Sequence, residues 1–254
     1  MAIHGVSLLS GGLDSTTVTA YARSRCDSLT ALTFRYGQTH SKEADCATEI
    51  AARLGVEHRL IDISFLKDVA WYSALTNPKA FPVPKGTTTE QIGASIPITY
   101  VPLRNTIFIS LAAAYLESKV LHAIETGGQS ARVTRAVIYM APNAVDFSGY
   151  PDCRPEFFEQ VARTLGFGSK LGTQYGVNFD VVTPIIHLSK AEIVRLAGEV
   201  NAPIDLTWSC YEGGDSPCGQ CDSCVLRAKG FVEAGVPDPL LVRLGKAGDG
   251  NASR

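Results

Sequence analysis

The sequence predicts an α/β fold: a doubly wound, mostly parallel sheet carrying a C-terminal four-cysteine zinc knuckle. Three observations predict it. Short apolar runs alternate with amphipathic helical segments from Ile3 to Ile63, a glycine-rich turn joins the first run to the first helix, and four cysteines gather between positions 210 and 224. Alternation of strand and helix is the pattern of a parallel sheet covered on both faces.

Ile3–Leu9 is a short apolar run ending at Ser-Gly-Gly, as expected of a strand buried on both faces. Ser15–Arg25 reads as a helix and Leu29–Phe34 as the second strand. Lys42–Leu54 places Ala44, Ala47, Ile50, Ala51 and Leu54 on one helical face, with Gly55 positioned to end it. Glu57–Ile63 is the third strand. From Ser64 to Ile96 no period survives the Asn-Pro, Pro-Val-Pro and threonine-rich stretches. A structureless segment of that length in a compact domain reads as a functional loop, here a lid over the site. Helix resumes at Asn105–Ser118, Gly127–Arg135 is a surface loop, and Ala136–Met140 is a strand. Pro155 suits the first position of a helix burying Phe157, Phe158, Val161 and Leu165. Val177–Val182 is a further strand, and Ser189-Lys190-Ala191-Glu192 has the spacing of a capping box.

The chain of 254 residues is 45% hydrophobic and 19% charged, enough for a substantial core. A formal net charge of −2 offers no basic surface for nucleic acid, so the expected partners are small molecules. No unbroken run of eighteen apolar residues argues for a membrane span, and MAIHGVSLLSGG reads as a buried strand and not a signal peptide. A cytoplasmic protein is expected, in which clustered cysteines point to metal before disulfides. The expected division is 1–200 for the nucleotide-binding α/β domain, 201–244 for the zinc-binding region and 245–254 for a frayed tail.

Ser10-Gly11-Gly12-Leu13-Asp14-Ser15-Thr16 lies where the first strand gives way to the first helix. Free backbone N–H groups and the positive end of a helix seat a phosphate there, and glycines let the backbone approach it. Ser10, Ser15 and Thr16 add hydroxyls, and Asp14 is placed to orient magnesium on the phosphates. The lysine of GxxxxGK[ST] is missing. The string resembles the signature of the PP-loop ATP pyrophosphatase superfamily. That resemblance implies cleavage of ATP between its α and β phosphates and adenylation of a substrate.

Cys210, Cys218, Cys221 and Cys224 are spaced C-x7-C-x2-C-x2-C. Four thiolates meet the tetrahedral preference of zinc and leave no open position, which argues for a structural ion. A redox dithiol at Cys218–Cys221 and an iron–sulfur cluster are the rival readings. Cys26, Cys46 and Cys153 read as ordinary thiols.

Further strings narrow the field: Tyr36-Gly37-Gln38-Thr39-His40, Val101-Pro102-Leu103-Arg104-Asn105-Thr106, the stretch Asp146-Phe147-Ser148-Gly149-Tyr150-Pro151-Asp152-Cys153-Arg154-Pro155-Glu156-Phe157, Thr207-Trp208-Ser209-Cys210-Tyr211 and Leu226-Arg227. Together with the loop and the knuckle they resemble the 7-cyano-7-deazaguanine synthase family of the queuosine pathway, from about residue 5 to 235. The resemblance implies an adenine nucleotide alpha hydrolase-like fold and conversion of 7-carboxy-7-deazaguanine and ammonia to the nitrile with ATP. It also implies a homodimer. Asp14, Ser15 and Arg104 are then the candidate catalytic residues, and residues 10 to 16 hold the nucleotide. Asp146 or Asp152 would read the base, Tyr150 would stack on it, and Arg104 or Arg154 would neutralise a carboxylate or phosphate. His40 is a candidate base for ammonium and Cys153 a candidate nucleophile. Leu103 stands where the family usually has a small residue. The rival functions are the same nitrile chemistry serving a nucleoside antibiotic or phage DNA, a tRNA-modifying PP-loop ligase, and a non-catalytic zinc-knuckle module.

Overall fold

A computed structural model describes residues 1–36, 42–82, 96–143, 150–212 and 214–246. Five strands form one wholly parallel sheet: β1 (Ala2–Leu8), β2 (Ser28–Arg35), β3 (Glu57–Asp62), β4 (Thr134–Tyr139) and β5 (Phe179–Val182), in the order β3-β2-β1-β4-β5. The doubly wound arrangement expected from the sequence is the one observed. β2 is buried along almost its whole length, whereas the edge strand β3 presents Glu57, Arg59 and Leu60 to solvent. Charges on an exposed strand keep it from pairing with another chain.

The alternation of β4 shows how the two faces divide. Ala136 and Ile138 point to one face, where α4 (Arg104–Glu125), α5 (Pro155–Gly168) and α6 (Lys170–Tyr175) pack. Val137 and Tyr139 point to the other, covered by α1 (Leu13–Arg23), α2 (Lys42–Leu54) and α7 (Lys190–Glu199). β1 therefore has its following helix on one face, while the crossover into β4 runs over the opposite face. The crevice at the carboxyl ends of β1 and β4 is the switch point where such sheets bind ligands.

α4 continues to Glu125, seven residues beyond Ser118, because Val120 keeps the buried stripe of Ile109, Ala112, Ala113 and Leu116 going. It is long and apolar enough by composition to cross a membrane, yet that stripe lies in the core against the sheet. The stretch after β3 is not structureless. Its described part forms α3 (Leu66–Val69) and a run of turns anchored by Leu66, Ala70 and Ala74, all buried. Residues 83–95, the centre of the expected lid, lie outside the described residues, as do residues 247–254 of the expected tail.

The cysteine-rich region is joined to the main core. Leu206 and Phe231, the latter on α8 (Asp222–Ala234), belong to the same cluster as α1 and α7. Arg227 of α8, only 6% exposed, donates from Nε and Nη2 to the Asp238 carboxylate at 2.6 and 2.9 Å and from Nη1 to Thr207 Oγ1 at 2.8 Å. Asp238 also caps α9 (Pro239–Arg243) by accepting from the Leu240 N–H. One buried ion pair, with the bond to Thr207, thus ties α8, α9 and the segment leading to Cys210.

Candidate active site

The glycine-rich loop is shaped before any ligand arrives. Ser15 Oγ donates to the Gly12 carbonyl at 3.2 Å and accepts from the Ser10 N–H at 3.1 Å, while the Ser10 and Ser15 hydroxyls sit 2.9 Å apart. Gly11 adopts φ +91°, and a Cβ there would overlap the Glu43 carbonyl oxygen, so only glycine lets α2 approach this closely. The Gly11 carbonyl accepts from the Trp208 N–H at 2.9 Å, which fastens the loop to the cysteine region. A cavity of about 410 Å³ opens at this point, bordered by Ser10, Gly12, Leu13, Asp14, Ser15, Tyr36, Glu43, Arg104, Tyr150, Lys190 and Tyr211 among others. A second hollow of about 510 Å³, between the C-terminal ends of α2 and α7, is lined by Arg53, Asn201, Pro203 and Asp205 and has no such loop.

The structure brings Ser10, Gly12, Leu13, Asp14, Ser15, Arg104 and Tyr150 together on the cavity wall. Gly11 supports the loop from behind. Thr16 is fully buried off the wall, and its hydroxyl is the one buried side-chain polar atom without a partner among the described residues. Arg104 opens α4 at the cavity, its guanidinium 6.0 Å from the Tyr36 ring centre. Burial works against its charge, but Tyr36, Tyr150 and Asp152 around it hold the pKa above the ordinary arginine value. Tyr150 Oη lies 2.8 Å from Thr99 Oγ1, and burial raises its phenol.

Asp152 does not line the cavity. It is buried, and its carboxylate accepts the Asn105 N–H at 3.2 Å in the first turn of α4, while its carbonyl accepts from the Asn105 side chain. Its acidic group holds the helix that presents Arg104. Arg154 is exposed at the start of α5, away from the cavity wall. Cys153 reaches the wall, but burial pushes its thiol up to about 11, so it is no ready nucleophile at neutral pH. Asp146 and His40 lie outside the described residues.

Two cavity groups were not legible as such in the sequence. Lys190 Nζ lies 2.8 and 3.1 Å from the Asp14 carboxylate oxygens, with its side chain 11% exposed. It therefore brings from α7 the cation that the loop itself lacks. A lysine on the first residue of a helix sits at the unfavourable end of the dipole, and that was the available signal. Glu43 precedes Ala47 and Ile50 on the buried face of α2; an acid on an apolar stripe was the second signal.

The sulfurs of Cys210, Cys218, Cys221 and Cys224 all lie within 4.8 Å of one another. Zinc–sulfur bonds of about 2.3 Å in a tetrahedron need sulfurs nearly 4 Å apart, so the set fits a single ion and is too tight for a four-iron cube. Backbone N–H groups of Glu212 and Cys218 point at Cys210 Sγ, and those of Gln220 and Cys221 at Cys218 Sγ, at 3.3 to 3.5 Å. Such donors favour thiolates. Between knuckle and loop, Trp208 is 1% exposed, and Lys42 Nζ sits 3.7 Å over its ring while donating to the Gly214 carbonyl.

A parallel α/β sheet with a glycine-rich loop at its switch point, lysine and arginine facing the cavity and a four-cysteine knuckle behind it defines a nucleotide-using enzyme. The family described as "Queuosine biosynthesis protein QueC" matches residues 4–235, and the chain belongs to that family. It is 44% identical over 235 residues to the 7-cyano-7-deazaguanine synthase of Thermoplasma acidophilum, covering 92% of this chain and 90% of that one. It is also 44% identical over 239 residues to the enzyme of the same name from Acetivibrio thermocellus, covering 93% and 96%. Among solved structures, the NMN synthetase of Francisella tularensis superposes with a TM-score of 0.42 at 16% identity, over 100% of this chain and 87% of that one.

Proposed function

We propose that this protein is a 7-cyano-7-deazaguanine synthase that converts 7-carboxy-7-deazaguanine and ammonia to the nitrile with ATP. The observation that carries the reading is 44% identity over more than nine-tenths of the chain to enzymes of that name, together with a cavity lined by the glycine-rich loop, Tyr36, Arg104 and Tyr150. Replacing two carboxylate oxygens by one nitrogen needs each to leave in turn. The substrate carboxylate attacks the α-phosphorus, pyrophosphate departs, ammonia displaces AMP to give the amide, and a second activation at the amide oxygen leads to the nitrile.

In this reading Gly12 and the first N–H groups of α1 receive the phosphates, and Lys190 turns from Asp14 to the departing pyrophosphate. Asp14 would hold a magnesium ion arriving with ATP, which would supply charge neutralisation at the phosphates. Arg104 meets the substrate carboxylate, and Tyr150 offers its ring to the heterocycle. Cys210, Cys218, Cys221 and Cys224 would hold a structural zinc. Residues 201–244 make up this zinc-binding region and 1–200 the nucleotide-binding domain. A cytoplasmic homodimer with small-molecule partners and no bound nucleic acid completes the reading.

Mass spectrometry of a reaction containing the protein, ATP, magnesium, ammonium and 7-carboxy-7-deazaguanine tests it. The nitrile is expected. An untouched substrate removes the assignment, and accumulation of the amide alone limits the enzyme to the first half of the chemistry.

A further inference from the structure

Glu43 has no role in the reading above. It is the second residue of α2, whose first turn is pressed against Gly11 so closely that no side chain fits between them. That contact fixes the origin of the Glu43 side chain, which reaches the cavity wall with Arg104 and Tyr36. Lys42 beside it is directed elsewhere, over the Trp208 ring. Among the described residues, the groups that face Glu43 are Arg104 from α4, Tyr211 from the knuckle side and Cys46 on its own helix, while Asp14 and Lys190 line the same cavity. Glu43 thus lines the same cavity as the glycine-rich loop and the arginine that would receive the substrate.

We propose that the Glu43 carboxylate is the base that takes a proton from ammonium as its nitrogen attacks the adenylated carbonyl. The proposal rests on the synthase reading. Ammonium has no lone pair, so the C–N bond forms only after one N–H proton has left. Glu43 takes that proton. The C–O bond to the phosphate then breaks, AMP departs with its electron pair and carries off the second proton from the tetrahedral nitrogen, and the neutral amide remains. Burial raises the Glu43 carboxyl to about 7, with Arg104 pulling the other way, which places it where a base is both ionised and effective at neutral pH.

Glu43→Gln keeps the shape and removes the base. Three rates are compared with the wild type: substrate-dependent ATP–pyrophosphate exchange, nitrile formation from ammonium, and hydroxamate formation from hydroxylamine, which already carries a lone pair at neutral pH. Exchange and hydroxamate formation are expected to hold within about threefold, while the ammonium reaction falls by about 100-fold, the lower range for a lost general base. An E43Q enzyme that uses ammonium as well as the wild type overturns the proposal, as does loss of all three reactions together, which assigns Glu43 to structure. In the wild type, the rate per total ammonium should level off above about pH 7. A rate that climbs about tenfold per pH unit until ammonium itself titrates means free ammonia enters unaided, and overturns the base. A wild-type protein that makes no nitrile overturns the synthase reading itself, whereas nitrile formation without the plateau removes only the role of Glu43.

Discussion

Lys190→Met replaces an ammonium by an apolar side chain of similar length. In the free enzyme Asp14 then loses a partner at 2.8 Å in a site where the two side chains are 11% and 27% exposed. An exposed pair contributes less than about 1 kcal/mol and a buried one, broken, costs about 3–5. This half-enclosed pair belongs between, at about 1–2 kcal/mol of folding stability. The larger effect falls on turnover. A hydrogen bond from a charged donor is worth about 1.5–3 kcal/mol, so losing it at the departing pyrophosphate lowers the rate by roughly 10- to 150-fold at about 1.4 kcal/mol per decade. Because the contact strengthens as charge develops on the leaving group, kcat should fall more than KM for ATP rises. Pyrophosphate release at saturating magnesium, measured against ATP concentration, separates the two. Lys190→Arg, keeping the charge, should recover part of the rate. A K190M enzyme with unchanged kcat, or one whose loss is confined to thermal stability, refutes the argument that Lys190 serves the phosphates.

Other substitutions read neighbouring features. Gly230→Ala in the interior of α8 should stabilise the helix by about 1 kcal/mol on propensity alone. Here the new Cβ would strike the Lys190 stem at Cβ and Cγ, so chemical denaturation should show a loss and pyrophosphate release should slow. Leu103 holds φ +55° and is 61% exposed, and Leu103→Gly should raise the unfolding free energy by up to about 1 kcal/mol of relieved strain, read by chemical denaturation. Asp238→Ala strands the buried Arg227 guanidinium and should cost about 3–5 kcal/mol, against less than about 1 for Asp180→Ala, whose partner Arg135 is half exposed. Metal analysis should find one equivalent of zinc per chain. Chelation should lower the melting temperature and abolish ATP–pyrophosphate exchange together, since the Trp208 N–H holds Gly11; a metal-free protein of equal stability would exclude the structural ion.

The parts of the fold visible in the sequence are those whose signals are local. Val6 and Leu8 run into Ser-Gly-Gly, Ala47 and Ile50 recur at helical spacing, and the capping box formed by Ser189 and Glu192 is present as spaced. The cysteine cluster was legible for the same reason, since three of its four members lie within one turn and a short knuckle. What the sequence hides is pairing at long range. Lys190 meets Asp14 across 176 positions, and Asp152 caps α4 through Asn105, 47 positions away. A carboxylate beside Cys153 and Arg154 reads equally as a base-recognising group or a helix holder until its partner is known. α8 is hidden in the sequence because its first turn is shared with the knuckle, where Pro217 and Gly219 disguise the start of a helix.

The position of β1 at the middle of the sheet has a consequence for synthesis. Its partner on one side, β2, follows at once, but its partner on the other, β4, begins at Thr134. At about 5–20 residues per second, the ribosome needs on the order of ten seconds to deliver that strand, and the second edge of β1 stays open meanwhile. The glycine-rich loop that follows β1 is thus among the first segments made, long before β4 and α7 close the cavity beside it. Such far-reaching strand pairings slow folding, so the middle of this sheet closes only after more than half the chain has been made.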